Sequence, residues 1–97
     1  MPVLQFVRFR PRRDVSAEEM LAVNARFQRE VAPTLPGLQR REATIADDGE
    51  WTLVLRYEDM ASATAGPRKD TGPIAQEFMS KIDKTTMSAA FLPIVSE

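Results

Sequence analysis

An α+β fold, with helices on one face of an antiparallel sheet, is what this sequence predicts, on three observations. Leu38 to Tyr57 reads as two alternating strands around Asp47-Asp48-Gly49, the signal of a β-hairpin. An alternating strand and a capped amphipathic stretch precede it. A second amphipathic stretch and a last strand follow. The order is β-α-β-β-α-β, a ferredoxin-like sandwich expected to occupy residues 1–97 as one domain.

Val3 to Arg10 alternates as a strand, with Val3, Gln5, Val7 and Phe9 on one side and Leu4, Phe6, Arg8 and Arg10 on the other. Pro11 ends it. Ser16-Ala17-Glu18-Glu19 has the form of a capping box, in which Ser16 caps the Glu19 amide and Glu19 reaches back. The helix it opens carries Met20, Val23, Phe27 and Val31 on one stripe, and Pro33 and Pro36-Gly37 break it.

In the hairpin, a three-residue loop with Gly49 in the left-handed region sets Ala46 opposite Glu50. Ile45, Ala43, Arg41 and Gln39 then share a face with Trp51, Leu53, Leu55 and Tyr57. Leu38, Arg40, Glu42 and Thr44 share the other with Thr52, Val54 and Arg56. A loop shorter by one residue would flip every side chain and lose this partition. Beyond the hairpin, Asp59 caps a short turn over Met60 to Ala65, which Gly66-Pro67 stops. Arg68 to Gly72 is a polar loop. Pro73 suits the first turn of a second helix, whose stripe is Ile74, Phe78 and Ile82, widened by Ala75 and Met79. Thr86 to Val95 reads as the last strand, with Pro93 marking an edge or a terminus.

Composition excludes several chemistries. There is no Cys and no His among the 97 residues, so disulfides, thiolate nucleophiles, imidazole bases and a Ser-His-Asp triad are impossible. No metal site or cofactor is expected. The net charge of −1 selects neither nucleic acid nor anionic lipid. No apolar run approaches the ~20 residues of a membrane span. MPVLQFVRFR has no charged start before an apolar stretch, so a cytoplasmic location is expected. RNA-recognition domains share this strand order, but WTLVLRY lacks their aromatic pattern and its aromatics face the helices.

Four residues are candidates for a ligand site. Asn24 falls inside the apolar stripe and should face the sheet. A neighbouring backbone group or Gln5 can satisfy it; alternatively it bonds a ligand. Trp51 and Tyr57 share the helix-facing side of the hairpin, where aromatics usually serve as core; the Tyr57 hydroxyl is the best proton donor near a pocket there. The run Arg8, Arg10, Arg12 and Arg13 is offset by Asp14, Glu18 and Glu19 and reads as a solvated edge, and Asp47, Asp48 and Glu50 fit turn chemistry. Arg68 and Lys69 read as a surface loop. The helix-free face mixes Leu4, Phe6, Leu38 and Val54 with charge. That is too apolar for water alone, so a homodimer through this face is expected.

VRFRPRRDVSAEEM, the stretch LPGLQRRE, the DDGEW turn and the strand ending RYEDMASA resemble the antibiotic-biosynthesis-monooxygenase-like proteins of the dimeric α/β-barrel superfamily. The resemblance implies a homodimer whose two sheets pack face to face, and a ligand pocket in each subunit between sheet and helices. It implies a small-molecule-binding protein akin to the cofactor-independent monooxygenases of aromatic or quinol-type substrates, or a non-catalytic ligand-binding or assembly protein of the same fold. Haem-degrading relatives use an Asn on the first strand and a Trp and a His on or near the second helix. Here the first strand has no Asn, residues 60–83 have no Trp, and His is absent, which argues against haem degradation.

Overall fold

The protein, a computed structural model, is described over residues 1–65 and 72–97. The expected stop at Gly66-Pro67 and the polar stretch with Arg68 and Lys69 lie outside them. Strand β1 (Val3–Pro11), helix α1 (Ala17–Arg26), β2 (Leu38–Ile45), β3 (Trp51–Tyr57), α2 (Met60–Ala65), α3 (Gly72–Ser80) and β4 (Ile82–Pro93) follow one another. The sheet is antiparallel with order β2-β3-β1-β4, so the expected ferredoxin-like architecture is present. No helix among the described residues is long and apolar enough to cross a membrane.

The start of α1 follows from its capping box: Ser16 Oγ accepts from the Glu19 amide at 3.1 Å, and Glu19 accepts from the Ser16 amide at 3.0 Å. These bonds to the charged form hold the Glu19 carboxyl below the usual range. The stripe then buries Met20, Val23, Phe27 and Val31. Its last turn is not α-helical. Phe27–Val31 winds as a π turn, closed by the Ala32 amide donating to the Phe27 carbonyl, before a 3₁₀ turn at Ala32–Thr34. At α2, the Asp59 carboxylate accepts from the Ser62 amide at 2.7 Å, as its capping role requires.

The hairpin closes as a three-residue loop. Gly49 has φ +89°, its amide donates to Ala46 O at 2.9 Å, and the Ala46 amide donates to Glu50 O at 2.8 Å. Pairing runs in the expected register from Ile45↔Trp51 to Arg40↔Arg56. A bulge at Gln39 then pairs Leu38 with Tyr57, which corrects the expected faces of two residues. Leu38 turns to the helix side and packs against the core, and Gln39 instead accepts from Arg56 Nε at 3.0 Å. Strict alternation misassigns both residues because the ladder carries one extra residue there.

The last strand begins at Ile82 rather than Thr86 and ends at Pro93. Ile82 therefore opens β4 and is not part of the α3 stripe; the helix stops at Ser80. The early start was masked because residues 84–87 stand opposite Phe9 alone, between the pairs Arg10↔Asp83 and Arg8↔Ser88. Polar side chains hold this bulge. Asp83 accepts from the Thr85 amide and hydroxyl at 3.1 and 2.6 Å, and Thr86 Oγ1 accepts from the Arg10 amide at 2.8 Å. β4 is an edge strand, in keeping with Pro93.

Candidate functional site

Strand parity decides which face a residue occupies; cross-strand pairing decides which row. On the helix side, four rows cross the sheet. The outer rows contain Pro93, Val3, Tyr57 and Leu38 at one end and Phe9, Trp51 and Ile45 at the other. Between them run Phe91–Gln5–Leu55–Arg41 and Ala89–Val7–Leu53–Ala43. Gln5, Leu55 and Arg41 of the first inner row and Val7 and Leu53 of the second floor a cavity of about 260 Å³. Its roof is Phe27, Ala63, Ala75, Phe78 and Met79, and Met87 and Phe91 stand at the β4 side. The walls are apolar apart from Gln5, Arg41 and Thr64, the usual make-up of a small-ligand site.

This geometry separates the expected site residues. Gln5 is in the floor. Trp51 and Tyr57 belong to the outer rows, six residues apart along β3, or roughly 20 Å. Trp51 stacks on Phe9 with ring centroids 5.7 Å apart and is buried in the core. Tyr57 is fully buried, and its hydroxyl has no hydrogen-bond partner among the described residues. Burial pushes its pKa up, partly opposed by the Arg41 charge. Asn24 is half-buried, as the stripe implies, and its Oδ1 also lacks a partner among the described residues. Asn24, Trp51 and Tyr57 do not line the cavity; Gln5 does.

The residue that sequence reading placed on the right face but did not single out is Arg41. It is 6% exposed, the one buried charged residue among those described. Its guanidinium lies over two cavity rings, 4.7 Å from the Phe27 centroid and 5.6 Å from that of Phe78. Nη1 donates to Gln28 Oε1 at 2.8 Å, while Nε and Nη2 are buried with no partner among the described residues. Two of these three partners, Phe27 and Gln28, belong to the π turn, and Phe78 belongs to α3. Burial lowers the Arg41 pKa to about 10, which leaves it charged at neutral pH. A second, more open recess of about 180 Å³ lies on its other side, beside Gln28, Ala32 and Leu38. The sequence signal was an arginine on the oily side of a strand.

No protein-family model matches this sequence, and no curated protein matches it. Solved structures do match in fold. The oxygenase SnoaB from Streptomyces nogalater, described as cofactor-independent, superposes with a TM-score of 0.78 at 15% identity, over 99% of this chain and 95% of that one. A protein from Caulobacter crescentus CB15, provisionally named an antibiotic biosynthesis monooxygenase, gives 0.78 at 13% identity over 98% and 91%. A dimeric ferredoxin-like protein of unknown function from Jannaschia sp. CCS1 gives 0.74 at 14% over 97% and 100%. The chain has the ferredoxin-like fold of these proteins from end to end, and the resemblance carried by its motifs holds at the level of that fold.

Proposed function

We propose that this protein binds an aromatic or quinol-type small molecule in the cavity between the sheet and α3, as a homodimer. The cavity carries the reading: about 260 Å³, walled by Phe27, Phe78, Leu53 and Leu55, with Gln5 as a hydrogen-bonding group in its floor. That volume suits one or two fused rings, near the lower end of small-ligand pockets. Fold similarity to SnoaB supports oxygenation of such a substrate without a cofactor. The dimer is supported by dimeric proteins of this fold and by the helix-free face, where Phe6 stands between Val54 and Ala90, and Leu4 beside Leu92.

A second reading, binding without turnover, is favoured by the lining itself. Among the described residues, no carboxylate or tyrosine borders the cavity to take a proton from a quinol. Titration with 1,4-naphthohydroquinone under nitrogen, followed by dioxygen uptake in air, tests both. Saturable binding with accelerated uptake supports the oxygenase, saturable binding alone supports the binding protein, and no binding refutes the site.

A further inference from the structure

We infer that the ligand of this cavity carries a carboxylate, and that Arg41 recognises it through the Nε–Nη2 edge of its guanidinium. This rests on the cavity being an aromatic small-molecule site. Four observations lead to it. Arg41 is in the cavity wall, buried, and among the described residues forms no ion pair with any Asp or Glu. A buried cation without a counter-charge is costly unless something supplies one. The only hydrogen bond it makes among those residues uses Nη1. The two nitrogens left over, Nε and Nη2, are neighbours on one side of the planar fork with parallel N–H bonds, and both are closed off from water, so a carboxylate meets them once the side chains around them shift. That pair matches the two oxygens of a carboxylate, the arrangement in which arginine binds most specifically.

The surroundings hold the fork for that role. Phe27 and Phe78 pack against the guanidinium, and Gln28 fixes Nη1 from the π turn. Turns of that kind recur at functional sites because they re-aim side chains. On the same row, Leu55 separates Arg41 from Gln5, so strand spacing sets the two polar groups roughly 10 Å apart. A bicyclic aromatic acid spans that distance: the carboxylate meets Arg41, the rings lie over Leu55 among the apolar walls, and a far polar substituent reaches Gln5.

Calorimetric binding of 2-naphthoate and of 2-naphthamide, which keeps the rings but has no charge, tests it on the full chain at neutral pH. The wild type should bind naphthoate at least about tenfold more tightly than the amide, the usual size of a charge-assisted hydrogen bond. Arg41→Met should bring the two within about twofold while the amide still binds. Arg41→Lys, which keeps the charge but not the parallel pair, should lose most of the preference; if Arg41→Met does not fold, this variant decides. Equal affinities in the wild type, or a preference that survives both substitutions, overturn the carboxylate assignment and leave the aromatic site standing. Failure of both probes to bind overturns the site and the inference together.

Discussion

The Arg41 guanidinium stacks on the ring of Phe27, 4.7 Å from its centroid, and among the described residues no carboxylate pairs with it. Its charge is thus a destabilising element of the fold. Arg41→Met should leave stability unchanged or raise it by about 1–2 kcal/mol, because an apolar side chain in that place needs no counter-charge. The sign with pH follows from the lowered pKa. Unfolded, this arginine keeps its proton to a higher pH; folded, it releases it at about 10. The unfolded chain binds more protons in that interval, so the Arg41 contribution to stability rises with pH there. The gap between the urea midpoints of variant and wild type should therefore shrink above about pH 10, since the Tyr57 contribution is common to both.

Tyr57 has the opposite sign in the same window. Burial raises its pKa above 10.0, so the folded state keeps a proton that the unfolded chain gives up. Stability from this group is intact below pH 10.0 and is lost as pH climbs through the raised value. Tyr57→Phe should remove that alkaline loss. Near neutral pH it should change unfolding free energy by no more than about 1 kcal/mol, since the hydroxyl it deletes has no partner among the described residues.

The two hairpin-side glycines should differ. Gly37 has φ +77°, and a Cβ built there would meet Ser62 Oγ at 2.4 Å and Ser62 Cβ at 2.5 Å. At Gly49, φ is +89° but the nearest atom is Arg10 Nη1 at 3.9 Å. Both substitutions to alanine incur backbone strain, and only the first adds a collision. Gly37→Ala should cost more than about 2 kcal/mol and Gly49→Ala about 1, read from thermal melts.

On the helix-free face, Phe6 pairs with Val54 at the centre of the apolar patch. The double variant Phe6→Lys and Val54→Lys places two cations where the proposed partner sheet would lie. Light scattering should then give the ~11 kDa monomer while the wild type scatters as a dimer. Circular dichroism should be unchanged. A wild type that is already monomeric would refute the dimer.

Much of the fold was legible because its signals are local. The capping box of Ser16 and Glu19, the loop at Gly49 and the alternation of β1 and β3 each depend on residues a few positions apart. What escaped were surplus residues in the ladders, at Gln39 and at 84–87, because a bulge leaves no period to count. The site was less legible for a related reason. Alternation correctly put Gln5, Arg41, Trp51 and Tyr57 on one face, but only the register of four strands tells that Gln5 and Arg41 share a row while Trp51 and Tyr57 sit at opposite ends. Alternation placed Arg41 on the oily face, but its burial and its lack of a counter-charge depend on neighbours distant in sequence.

The widened turn at Phe27–Val31 and the bulge at Gln39 are each one residue longer than a regular path would need. Both precede Arg41 in the chain, one holding Gln28 and the other next to Arg40. The setting of this arginine is therefore sensitive to chain length as well as to side-chain identity. Removing exposed Glu30 would let the turn relax to α-helix and swing Gln28 off the guanidinium, though every residue touching Arg41 was still present. A single-codon deletion can thus alter this site without substituting any of its members.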